Sequence, residues 1–263
     1  MCTVYILGQR RFPRALLLES GILKLVDERI HSMFPNLSPG VIIALLSSFR
    51  RICLDKSMIP QTANDLITQV ASLSCTLDIR TFLLSLRALS DLGFQWQSIE
   101  NDQRLGITAG IARSATTSPS KLALILSAVH AFNASWADLH ERIPIVLRHV
   151  LFKLFSSFKP SSSPVSEEER SASVEYISNL LRIMVDMKAS WEWIGDKAAI
   201  TILQALSVLH LSYAEQSAIL PSLSLLFADI PKHVFEAVPS EFHFLFHLDK
   251  DSRLLTVNDD VHK

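Results

Sequence analysis

The stretch Asp78-Ile79-Arg80-Thr81-Phe82-Leu83-Leu84-Ser85-Leu86-Arg87-Ala88-Leu89-Ser90-Asp91-Leu92-Gly93-Phe94-Gln95-Trp96 decides the fold. Its apolar residues Phe82, Leu86, Leu89 and Leu92 step by four, three and three, which puts them on one face of an α-helix. The pattern recurs at a spacing of 40 residues: Ile42, Leu46, Phe49 and Ile52 precede it, and Leu122, Leu126, Val129 and Phe132 follow. A fourth copy, Ile177, Leu181, Met184 and Met187, comes 55 residues later, because one hydrophilic interruption between Ser156 and Arg170 adds 15 residues. Each copy leads into an anchor: Lys56, Trp96, Trp136 or Trp191. Units of this length cannot bury their apolar faces alone and must stack on neighbours. The register therefore predicts an all-α fold, an α-solenoid of about five two-helix repeats.

The signals that start and stop these helices keep the same register. Eighteen residues before the anchors stand Ser38, Asp78, Ser118 and Ser173, whose short side-chain oxygens suit a helix N-cap. Pro39 and Pro119 follow two of them, at the helical position where a missing N–H costs nothing. Gly93 and Asn133 suit a left-handed stop, whereas Cys53 and Lys188 in the same rung suit it less. Small residues Ser48, Ala88 and Ala128 fill an adjoining rung, from which Ile183 departs. Second helices are expected over about 57–75, 97–114, 137–156 and 192–210, with Ser135 and Ser190 as their caps. Gly106 and Gly110 read as close helix packing.

Outward from this ladder, Leu16 to Phe34 reads as a second helix, so the chain is expected to begin inside a repeat. Tyr213 to Asp229 and Pro231 to Leu248 read as a weaker final pair. The expected organisation is a basic N-terminal segment or partial repeat at 1–14, a helical-repeat region at 15–248 with the insertion at about 156–170, and a polar C-terminal tail at 249–263. Ser, Pro and Glu dominate the insertion, which cannot supply a packed face and reads as a loop outside the repeats.

Nearly half of the 263 residues are hydrophobic and only 7 are Gly, which gives ample core and little loop. The longest uncharged stretch, Ala198 to Ala214, is interrupted by polar residues and falls short of the roughly 18 apolar residues of a membrane span. Cys2, Cys53 and Cys75 are odd in number and lack CxxC spacing, which speaks for a reducing compartment and against a disulfide framework or zinc site. His243 and His247 have the i, i+4 spacing of a metal pair but no intervening Glu and no third ligand. No GxSxG, GxGxxG or P-loop sequence occurs, so neither catalysis nor a cofactor is expected.

Twenty-five bases balance 26 acids, whereas an autonomous nucleic-acid domain shows a strong basic excess. The distribution is uneven: residues 1–56 hold eight bases against four acids, a net of +4, and residues 229–263 hold four bases against seven acids, a net of −3. Arg10, Arg11 and Arg14 read either as part of a mitochondrial targeting segment or as a basic turn between helices. Nine residues before the anchors stand Ser47, Arg87, Ser127 and Arg182, with Arg50, Ser90 and His130 one turn further on. These side chains either contact phosphates or bases from a first-helix surface or simply face solvent. Arg142, Arg148, Lys153 and Lys159 form a second basic group that reads as facing a partner, and the tryptophans read as packing anchors rather than base-stacking platforms.

The phrases Ser118-Pro119-Ser120-Lys121-Leu122-Ala123-Leu124-Ile125-Leu126-Ser127-Ala128 and Leu83-Leu84-Ser85-Leu86-Arg87-Ala88-Leu89-Ser90-Asp91-Leu92-Gly93-Phe94 resemble the octotricopeptide and heptatricopeptide repeats. Those repeats share a Ser-Pro-type start, a Leu-rich first helix ending in Leu-Gly-aromatic, and Trp in the second helix. The resemblance covers roughly residues 10–230. It implies an organellar RNA-associated protein, here a non-catalytic ribonucleoprotein component, with a mitochondrial ribosome subunit in the matrix as the leading expectation. The partners would be RNA, foremost rRNA, and neighbouring proteins, with no membrane and no small-molecule substrate. The expected RNA-contact residues are Arg10, Arg11, Arg14, Arg50, Arg51, Arg87 and Arg182. The alternative is a HEAT- or armadillo-like protein-binding scaffold without RNA contact, located in the mitochondrion, a plastid or the cytoplasm.

Overall fold

A computed structural model describes residues 21–139, 142–156, 167–209, 211–227, 234, 236, 237, 240, 246, 247, 256 and 257. Eleven α-helices occur among them: α1 Ile22–Met33, α2 Pro39–Ile52, α3 Pro60–Leu73, α4 Ile79–Asp91, α5 Asn101–Thr117, α6 Leu122–His130, α7 Arg142–Phe155, α8 Glu167–Asp186, α9 Trp191–Ile194, α10 Asp196–Val208 and α11 Tyr213–Leu226. Near the C-terminus, β1 (Phe246–His247) pairs antiparallel with β2 (Thr256–Val257). The helix expected to run to Leu248 therefore does not include Phe246 and His247, and the polar C-terminal tail contains β2. The region between Ser38 and the end of α10 holds no strand among the described residues. The fold class is all-α.

The chain divides into two compact units. In the first, which comprises residues 1–114 and 131–134, α2 packs on α4 and α1 packs on α3. Ile42, Leu46, Phe49, Ile52, Phe82, Leu86, Leu89 and Leu92 are all buried, as their helical spacing requires. Gly106 and Gly110 on α5 let the neighbouring backbone close in. A Cβ on Gly106 would lie 2.6 Å from the Ala71 carbonyl oxygen, and one on Gly110 would lie 2.7 Å from the Ser74 Cβ. The Ser74 hydroxyl donates to the Gly106 carbonyl at 2.6 Å across the same crossing. Ile59 sits at the N-cap of α3 and has no side chain to cap it. Buried Asp27 of α1 does so instead, accepting from the N–H groups of Gln61 at 3.2 Å and Thr62 at 2.8 Å.

In the second unit α6 packs on α8, α8 on α11 and α7 on α10. Leu122, Leu126, Val129, Ile177, Leu181, Met184 and Met187 are buried. Ser173 does not begin its helix: α8 starts at Glu167, and the Ser173 hydroxyl donates back to the Glu169 carbonyl. Glu167, Glu168 and Glu169 fill the first turn, where carboxylates are favoured by the helix dipole. Thus 167–170 of the expected loop insertion are helical, and 157–166 lie outside the described residues. Arg170 and Glu215 tie α8 to the start of α11 at 2.9 Å.

Both units use the same hairpin turn. Cys53, Gly93, Asn133 and Lys188 all adopt positive φ, 55°, 86°, 56° and 58°. At three of them the next N–H reaches back to close a Schellman turn: Leu54 to Phe49, Phe94 to Leu89 and Ala189 to Met184. Each anchor then opens a short turn ahead of its second helix, so those helices begin later than expected, at Pro60, Asn101, Arg142 and Asp196. Gln95 with Ser98, and Ser135 with Asp138, cap two of these turns reciprocally. The anchor N–H groups donate to the corresponding carbonyl one register on: Lys56 to Leu92 at 2.8 Å, Trp96 to Phe132 at 2.8 Å, and Trp136 to Met187 at 2.6 Å. Trp96 and Trp136 are buried, and Trp191 is half-buried. Lys56 replaces Trp by laying its ammonium 5.0 Å from the centre of the Phe94 ring.

Candidate nucleic-acid interface

With the four, three, three positions consumed by the core, the outward face of each first helix consists of the complementary positions. On α2 these are Gly40, Ala44, Ser47 and Arg51; on α4 they are Arg80, Leu84, Arg87 and Asp91. All eight are exposed, and α2 packs beside α4 within the first unit. Asp91 pairs with Arg50 on the neighbouring helix. Arg51, Arg80 and Arg87 have no ion-pair partner among the described residues, and Leu84 stands between the latter two at 45% exposure. Together α2 and α4 carry four arginines against one aspartate, a net of +3.

The equivalent faces of the second unit differ. Exposed Leu124 on α6 and exposed Glu175, Asn179, Arg182 and Asp186 on α8 hold the corresponding places. Arg182 approaches Asp186 one turn on, at 3.9 Å. Helices α6 and α8 together carry five acids against two arginines, a net of −3. A groove of about 310 Å³ between α8 and α11 is lined by Ser171, Val174, Glu175, Ser178, Asn179, Glu215, Ala218 and Ile219. At its edge Arg170 donates to Glu215 and, together with the Ser212 N–H, holds that carboxyl at about 2; the same hydrogen bond raises the Arg170 guanidinium above its ordinary value. Asp78 is likewise lowered by accepting from Thr81 at the start of α4.

Of the arginines expected to meet RNA, Arg51 and Arg87 therefore share one cationic face, Arg50 and Arg182 are engaged in ion pairs, and Arg10, Arg11 and Arg14 lie outside the described residues. Arg50 has a counterpart one register on: the Ser90 hydroxyl donates to the Ala131 carbonyl, so that rung links successive segments of the first unit. Arg80 joins this face beyond the arginines expected from the rungs nine and six before the anchor, because its seven-residue separation from Arg87 places both on one helix face. In the second basic group, the Arg148 guanidinium donates to the carbonyls of Glu192 at 3.0 Å and Trp193 at 3.1 Å, while Lys153 is exposed. Lys159 lies outside the described residues.

The face can attract phosphate through fixed guanidinium charge and offers one apolar side chain beside it. Among the described residues no group of three or more His, Cys, Asp or Glu could hold a metal ion, and no helix is long and apolar enough to cross a membrane. Comparison with protein-family models, curated proteins and solved structures finds no match.

Proposed function

We propose that this chain is a non-catalytic α-solenoid of about five two-helix repeats with a 40-residue period, which serves as a component of an organellar ribonucleoprotein. The stacking is supported by first helices packing on first helices and second on second within each unit, and by the recurring anchor hydrogen bonds. The assembly favoured by the resemblance to octotricopeptide-like repeats is the mitochondrial ribosome, with rRNA and neighbouring proteins as partners. The observation that carries RNA contact is the outward face of α2 and α4, where Arg51, Arg80 and Arg87 project without ion-pair partners among the described residues. A net of +3 on these two helices, within a chain of net −1, suits a protein that touches RNA locally and is held mainly by other proteins. A protein-binding scaffold is the second reading, favoured by the exposed apolar residues of α7.

Purification of the endogenous assembly tests the proposal. Ribosomal RNA should co-sediment with the protein and be released by ribonuclease treatment. An RNA-free assembly that retains this chain would leave only the scaffold reading.

A further inference from the structure

Helix α7 differs from the other second helices on its outer side. Its exposed side chains, Ile145, Arg148, His149, Phe152 and Lys153, follow one another at helical spacing. Ile145 is 63% exposed and Phe152 41% exposed. The positions matching Ile145 and Phe152 in the other second helices are Leu25 and Ser32 on α1, Asp65 and Ser72 on α3, Leu105 and Ala112 on α5, and Ile200 and Ser207 on α10. Only α7 thus places two large exposed apolar side chains on this stripe. Arg148 adds a third: its bonds to the Glu192 and Trp193 carbonyls hold Trp193, 37% exposed, beside the helix. Gly195 makes that seat possible, because a Cβ there would lie 3.0 Å from the Arg148 side chain.

Charge restricts the occupant. Arg142–Phe155 contains Arg142, Arg148, His149 and Lys153 and not one acid. A second copy meeting this face through a two-fold axis would set one cationic, acid-free helix against another, which like-charge repulsion disfavours. Ile145 and Phe152, seven residues apart, are about 10 Å apart along the helix, the spacing at which a second helix presents apolar residues two turns apart. We propose that the outer face of α7, with Trp193 at its side, docks an acidic amphipathic helix of a partner protein. Ile145, Phe152 and Trp193 supply the apolar contact, and exposed Lys153 on a helix without acids selects the acidic flank. This docking does not depend on the first-helix face of the other unit taking RNA.

The full chain tests this by fluorescence anisotropy against a labelled helical peptide with Leu at the a and d positions of three heptads and Glu elsewhere. The controls are the same peptide with Lys replacing Glu, a single-stranded RNA, and vesicles containing phosphatidylserine. The acidic peptide should bind saturably, the Lys peptide should not, and I145S/F152S should weaken acidic-peptide binding by about tenfold or more. R51Q/R80Q/R87Q should leave that affinity unchanged. Circular dichroism confirms that the double variant is folded; K153E, confined to the surface, should weaken binding in the same direction if the double variant is not. Absent or equal binding of the two peptides, or an acidic-peptide affinity indifferent to I145S/F152S and K153E, would overturn the proposal. So would RNA or vesicle binding that depends on Ile145 and Phe152 while the acidic peptide does not bind.

Discussion

The two units bury the same rungs of their first helices and give those helices opposite net charge. In the first, α2 and α4 carry a net of +3, while α3 exposes Gln61, Asn64, Thr68 and Ser72. In the second, α6 and α8 carry a net of −3, and second helix α7 carries three bases and no acid beside exposed Ile145 and Phe152. A shared core register leaves the outward rungs free to diverge, because solvated positions contribute little to stability. The difference between the units therefore lies where a partner would touch them.

The sharpest way to break the equivalence of the buried rungs is to empty one. Trp136→Ala in the second unit should cost about 3–5 kcal/mol, read as a lowered denaturant midpoint. Trp136→Phe should cost less, about 1–2 kcal/mol, because the buried indole N–H has no hydrogen-bond partner among the described residues to lose. In the first unit, Gly106→Ala should destabilise by about 1–3 kcal/mol through collision with the Ala71 carbonyl, reversing the gain Ala brings to an ordinary helix position. A melting temperature raised by Gly106→Ala would mean the α3–α5 approach is looser than described.

Smaller effects distinguish the turns. Cys53→Gly in the first unit and Lys188→Gly in the second should each stabilise by about 1 kcal/mol, since both positions are left-handed. A gain in one unit alone would break the shared turn geometry. Smaller again is a pH effect confined to the second unit. Glu215 is held at about 2 against an ordinary 4.5, so its contribution is complete above the unfolded value and is lost as pH falls from about 4.5 towards 2. Glu215→Gln should melt below the wild type at pH 7, with the gap closing on acidification; a gap independent of pH would detach the effect from the Arg170 pair.

Most of the buried face was legible because apolar spacing and tertiary packing ask for the same thing. The sixteen apolar positions of the ladder are all buried, and Gly106 and Gly110 do mark close approach. Local chemistry misled where tertiary demand overrode it. Cys53 and Lys188 have no left-handed preference to read, yet the turn imposes that conformation on them. Ser173 looked like a cap, but the acidic run before it extends the helix, and Arg170 finds Glu215 at the next helix start. The candidate face was half legible: the exposure of Arg51 and Arg87 follows from the helical spacing, whereas the Arg50–Asp91 pairing depends on which helices lie side by side. Arg80 required subtracting the buried rungs first, and the exposure of Ile145 and Phe152 required knowing which side of α7 is covered.

The contrast between the two first-helix faces is tested most directly by salt titration of RNA binding to the full chain, comparing wild type, R51Q/R80Q/R87Q and R182Q. Binding should be weak in the isolated protein. The triple variant should weaken it further and flatten the log–log salt slope by somewhat less than about one unit per lost phosphate contact, while R182Q in the second unit should leave the slope unchanged. Identical slopes for wild type and triple variant, or a slope that responds to R182Q instead, would contradict RNA contact through α2 and α4.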